Sequence, residues 1–148
     1  MDSKTALENA TRRREELNLG YAGAVTPEEA HRLAQEGGAV IVDVRTDPEI
    51  GYVGSIPGSL HINWQIYPDM AINDRFLQEL EQQAGKDKTV LFICRSGVRS
   101  HHAAAMAADA GWGKAYNVLE GFEGELDLSE QRGKINGWRF RGLPWKQV

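Results

Sequence analysis

A chain of 148 residues with one cysteine, Cys94, cannot close an internal disulfide, build a zinc ribbon or run a CxxC redox couple. Nor does it hold any apolar run near the about 20 residues that would cross a bilayer. The opening stretch from Met1 to Gly20 is polar and has no apolar centre, so it is not read as a secretory signal. Charge of one sign is scarce too. A net charge of -4 gives no global attraction to nucleic acid or to an anionic membrane, and a cytoplasmic protein is the expectation. The basic run Arg12-Arg13-Arg14 sits among Glu8, Glu15 and Glu16 and reads as a solvated helix face. The four histidines (His31, His61, His101 and His102) lack metal-ligand spacing, so no metal is expected.

What is present alternates between β-branched runs and helical segments. Residues 4 to 18 can form a helix with a thin apolar stripe of Leu7, Ala10 and Leu17, and 1–20 reads as an N-terminal helical extension to a domain over 21–148. Thr26-Pro27-Glu28-Glu29 is a start signal: a capping Thr, a Pro at the first helical position and a Glu that closes a capping box. That helix should stop at Gly37-Gly38. Ala39 to Val44, Thr89 to Ile93 and Ala115 to Val118 read as buried parallel strands, with shorter ones at Ala22 to Val25 and Leu60 to Ile62. Asn73 to Ala84 and Ser100 to Ala110 read as helices, and a short helix is expected near Leu126 to Arg132. The sum is an α/β domain with a mainly parallel five-stranded sheet and helices on both faces. Trp64, Tyr67, Trp112, Trp138 and Trp145 are assigned to core packing.

The chemistry concentrates in Cys94-Arg95-Ser96-Gly97-Val98-Arg99-Ser100, directly after a buried strand and directly before a helix. In open α/β sheets ligands bind at the carboxyl ends of strands. A helix N-terminus, loop N–H groups and two arginines all favour a thiolate and cradle an anion. Gly97 permits the tight turn. A lone cysteine at a strand end is often a small buried hydrophobe, but arginines, serines and a glycine do not suit an apolar core.

This loop resembles the active-site loop of the rhodanese superfamily. Two further segments are similar to that family: Ile41 to Arg45 with Glu49 and Gly54 to Ser59, and Tyr116 to Phe122, while Gly137-Trp138 and Gly142 to Pro144 resemble its closing segment. The likeness spans roughly residues 21 to 145. Ser55 stands where the family often has His, and residues 123 to 136 form an insert suited to a cap or partner surface.

The resemblance implies a ping-pong sulfurtransferase with Cys94 as nucleophile and persulfide carrier. The backbone from Ser96 through Gly97, Val98 and Arg99 to Ser100 would cradle the persulfide, Arg95 would contact an anionic donor such as thiosulfate, and Arg99 would help hold the loop. The acceptor would be a thiol or cyanide, with a sulfur-carrier protein as a further partner and no cofactor. Asp43 and Arg45 read as a supporting shell, with Arg45 expected to pair with Glu49. Two rival readings stay open: a non-enzymatic binding module on the same fold, and a Cys-dependent phosphatase or arsenate reductase, whose loop places five residues between Cys and Arg where this one has four.

Overall fold

The computed structural model describes all 148 residues. Twelve elements follow in order: α1 (Ser3–Leu17), β1 (Gly23–Val25), α2 (Pro27–Gln35), β2 (Ala39–Asp43), α3 (Asp47–Val53), β3 (Leu60–His61), β4 (Gln65–Ile66), β5 (Ala71–Ile72), α4 (Phe76–Gln83), β6 (Thr89–Ile93), α5 (Val98–Asp109) and β7 (Ala115–Val118). The main sheet has five strands, all parallel, in the order β1-β7-β6-β2-β3. Its centre, β6 beside β2, pairs Thr89 with Ala39 through to Ile93 with Asp43. Both strands are β-branched runs buried on two faces, which is what a central parallel strand requires.

Alternation along β6 divides the core. Val90, Phe92 and Cys94 face a layer built by Phe76 and Leu80 of α4, Ala103, Ala104 and Ala107 of α5, and Trp64 and Trp112. Leu91 and Ile93 face the opposite layer, with Ala6 and Ala10 of α1, Ala30 and Leu33 of α2, and Phe122 and Trp138. The alanine-rich face of α5 lets that helix lie close on the sheet, and Cys94 comes to the sheet's carboxyl edge where α5 begins.

The helix α1 packs differently from the expected stripe. Ala6 and Ala10 are buried while Leu17 is half exposed. Small residues win because α1 presses on β1: a Cβ on Gly23 would lie 2.4 Å from the Ala10 carbonyl oxygen. The basic run is also not wholly solvated. Arg13 donates to the Glu29 carboxylate at 2.6 Å and to the Ala24 carbonyl at 2.9 Å, tying α1 to the N-terminus of α2.

Two further expectations are corrected, and one element is new. No helix forms between Leu126 and Arg132. The Asp127 carboxylate instead accepts the N–H groups of Ser129 and Gln131, and Glu130 and Gly133 take positive φ, so local side-chain capping outcompetes a helix. Tyr67 and Trp145 are not core residues: Tyr67 is largely exposed and Trp145 partly so, whereas Trp64, Trp112 and Trp138 are buried. Residues 47 to 53 form α3, which the strand and helix patterns did not indicate. Its start carries the Thr46-Asp47-Pro48-Glu49 sequence, the same type of signal that opens α2. No helix is long and apolar enough to cross a membrane.

Candidate active site

Cys94 follows the last residue of β6, and its thiol is almost wholly buried at the floor of a pocket of about 410 Å³. Glu49, Gln65, Met70, Arg95, Ser96, Val98 and Arg99 complete the lining. Gly97, at φ 106°, turns the chain into α5. This left-handed conformation is one that a side chain would resist. Val98, Arg99 and Ser100 therefore form the first turn of the helix rather than a loop, and their N–H groups make no backbone hydrogen bond. The helix begins two residues before the position expected from sequence.

Two donors reach the sulfur. The Gly97 N–H lies 3.1 Å from Sγ and the Ser100 hydroxyl 3.2 Å. The carbonyls of Cys94 and Arg95 are engaged elsewhere. Phe122 N–H donates to the first at 2.8 Å, and the N–H groups of Glu123 and Gly124 donate to the second at 3.0 and 3.1 Å. Gly121 makes that turn possible, because a Cβ there would lie 2.4 Å from the Arg95 carbonyl.

Arg99 spans from the loop to α3. Its Nη1 and Nη2 donate to the two carboxylate oxygens of Glu49 at 2.7 and 2.8 Å. Glu49 also accepts the N–H and hydroxyl of Thr46. Burial pushes the Glu49 carboxyl upward, but the Arg99 guanidinium and the Thr46 donors outweigh it and hold it at about 2. The same pairing raises Arg99 against the opposing effect of burial, with Cys94 and Asp43 adding smaller attractions. Arg95 lines the pocket and is exposed.

The expected Arg45–Glu49 pair does not form. Arg45 is completely buried and turns back on its own strand, donating from Nε and Nη2 to Asp43 at 3.0 and 2.7 Å and from Nη2 to the Gly54 carbonyl at 2.8 Å. Its guanidinium lies 4.1 Å from the centroid of the Phe122 ring. The Asp43 carboxylate also accepts the Arg45 N–H at 3.1 Å. A buried charge needs a buried counter-charge, and Glu49 on α3 is committed to Arg99. Asp43 and Arg45 thus brace the turn beneath the site without entering the pocket.

Three contributors were missed by the reading of the sequence. Gln65 and Met70 enter from the hairpin β4–β5, whose two-residue strands carry no periodic signal. Asn117, in the middle of β7, accepts the Ser100 hydroxyl at 2.6 Å and donates to the Gly97 carbonyl at 3.2 Å. Its signal was legible: an amide in a strand of otherwise buried residues needs partners. A second cavity, of about 360 Å³, lies between α2 and the turn at residues 56 to 59. His31 is the one titratable group in its wall, and the Ser59 hydroxyl there donates to the Ile56 carbonyl at 2.8 Å.

The arrangement is a buried thiol with converging N–H and O–H donors, opening to a pocket with exposed positive charge. It can stabilise negative charge on sulfur and receive a small anion. Residues 26–125 match the family model described as a rhodanese-like domain. An uncharacterised protein of Rickettsia prowazekii is 35% identical over 118 residues, covering 77% of this chain and 88% of that protein. A protein of Pseudomonas syringae pv. syringae named thiosulfate sulfurtransferase GlpE is 33% identical over 99 residues, covering 67% and 82%. The crystal structure of Rv0390 from M. tuberculosis superposes with a TM-score of 0.77 at 43% identity, covering 86% of this chain and 99% of that one. With a family model matched over residues 26–125, this protein belongs to the rhodanese-like domain family.

Proposed function

We propose that the protein is a sulfurtransferase that moves sulfane sulfur from an anionic donor of the thiosulfate class to a thiophilic acceptor through a Cys94 persulfide. The observation that carries this reading is the Cys94 sulfur held by the Gly97 N–H and the Ser100 hydroxyl beneath a pocket lined by Arg95 and Arg99.

In the first half-reaction the Cys94 thiolate attacks the outer sulfur of thiosulfate. A bond forms between the two sulfurs, the bond from the outer sulfur to the sulfonyl sulfur breaks, and its electron pair leaves with sulfite. Arg95, exposed at the pocket wall, attracts the donor anion. The negative charge then resides on the terminal sulfur of the persulfide, among the free N–H groups of the first turn of α5. In the second half-reaction an acceptor thiolate or cyanide takes the terminal sulfur, and the pair from the broken sulfur–sulfur bond returns to Cys94. The chain has no second cysteine, so the acceptor comes from outside. A relative named thiosulfate sulfurtransferase supports this choice of donor.

The phosphatase reading is weaker on two grounds. Four residues separate Cys94 from Arg99, and Glu49 occupies two of the donors of Arg99 that a phosphoryl group would need. The test is steady-state formation of thiocyanate from thiosulfate and cyanide. Parallel double-reciprocal lines, lost in Cys94→Ala, are expected. Cys94-dependent hydrolysis of para-nitrophenyl phosphate without thiocyanate would overturn the proposal.

A further inference from the structure

Ser100 carries one hydroxyl proton and faces two acceptors. Asn117 Oδ1 lies 2.6 Å from its Oγ and Cys94 Sγ 3.2 Å. The amide of Asn117 has a fixed orientation, because its Nδ2 lies 3.2 Å from the Gly97 carbonyl, which can only accept. It also faces the Tyr21 phenol, which in turn sits 2.6 Å from His101 Nδ1. Rotating the amide would set oxygen against oxygen at Gly97. Ser100, Asn117 and Cys94 are all buried, and the second-shortest route for the hydroxyl proton is the sulfur.

We infer that Asn117 is a positioning residue for the Cys94 sulfur: its side-chain oxygen holds the Ser100 proton while Sγ is uncharged, and gives it up to Sγ when Sγ becomes a thiolate. With Cys94 as a thiol, S–H donates to Ser100 Oγ and the hydroxyl donates to Asn117. When the thiol proton leaves, the hydroxyl turns to the sulfur and Asn117 Oδ1 loses its donor. In a persulfide the charge sits on the terminal sulfur, Sγ is again uncharged, and the hydroxyl returns to Asn117. Removal of the terminal sulfur restores the thiolate and turns the hydroxyl once more. Asn117 thereby opposes ionisation of Cys94 while anchoring the Gly97 carbonyl. A thiolate stabilised less in this way is the better nucleophile. The role in turnover rests on the sulfur-transfer reading, whereas the hydrogen-bond exchange itself does not.

The experiment is a thiolate titration by ultraviolet absorbance on the full chain, its Asn117→Leu and Ser100→Ala variants, and the double variant. The charged groups near the sulfur (Arg95, Arg99, Glu49, Asp43 and Arg45) are the same in all four proteins, as are Tyr21 and His101 beyond Asn117. Freeing the Ser100 proton in Asn117→Leu is expected to raise the ionisation constant about three- to tenfold, a fall of about half to one pKa unit. In the Ser100→Ala background the same substitution should have no effect. If Asn117→Leu does not fold, Asn117→Ala carries the same expectation. A merely structural role predicts the opposite sign, because a loosened loop stabilises the thiolate less. That outcome, or an Asn117 effect that persists without the Ser100 hydroxyl, would overturn the inference. The titration needs no sulfur donor, so it reads the exchange even in a chain that takes no sulfur from thiosulfate.

Discussion

Replacing Glu49 by Gln removes a charge while keeping the shape, and the structure sets the size of the effect. The carboxylate receives both ends of the Arg99 fork and the donors of Thr46, and its side chain is only 20% exposed. Its carboxyl is held at about 2 against an ordinary value of 4.5. Ionisation of Glu49 is thus easier in the folded chain than in the unfolded one. The stability it contributes is present above about pH 4.5 and is lost as pH falls through about 2. At about 1.36 kcal/mol per unit this is of order 3 kcal/mol at pH 7 and roughly half that at pH 3. Glutamine does not titrate, so the gap between the two proteins follows that curve. Urea unfolding should show Glu49→Gln less stable by about 2–3 kcal/mol at pH 7, or roughly 5–10 °C in Tm. The gap should narrow by about 2 kcal/mol on acidification to pH 3. A gap that is the same at both pH values would refute the electrostatic account of this pair.

Two other substitutions probe the loop. Gly121→Ala forces a side chain into a φ of 70° and within 2.4 Å of the Arg95 carbonyl, against backbone that cannot retreat without moving the nucleophile loop. It should cost about 3 kcal/mol or more in chemical denaturation and abolish thiocyanate formation. Arg95→Ala removes an exposed side chain that makes no hydrogen bond or ion pair within the chain, and keeps the backbone carbonyl that Glu123 and Gly124 bind. It should raise KM for thiosulfate about five- to tenfold with Tm unchanged; an unchanged KM would remove Arg95 from the donor contact.

The sheet was legible because parallel strands buried on both faces are continuous β-branched runs, and Ala39 to Asp43 and Thr89 to Ile93 are two of them. The nucleophile loop was legible because residue type and position agreed: a cysteine with arginines and a glycine between a strand and a helix. The Thr26 capping box formed as read, with Glu29 accepting the Thr26 N–H at 2.9 Å and Thr26 accepting that of Glu29 at 3.2 Å. The same type of signal stands at Thr46 to Glu49, where Glu49 both closes the box and pairs with Arg99. Pairing between charges on separate elements depends on how those elements pack. Arg99 lies 50 positions from Glu49, Arg13 lies 16 from Glu29, and local sequence carries no trace of either partnership. The hairpin β4–β5 was invisible for a related reason. Two-residue strands have no period, and their place against the pocket is set by the sheet that precedes them.

Transfer of sulfur through Cys94 is read by intact mass after incubation with thiosulfate. A gain of one sulfur atom is expected on the full chain, reversed by cyanide and absent from Cys94→Ser. A gain that persists in Cys94→Ser, or thiocyanate turnover without any Cys94-dependent gain, would contradict it.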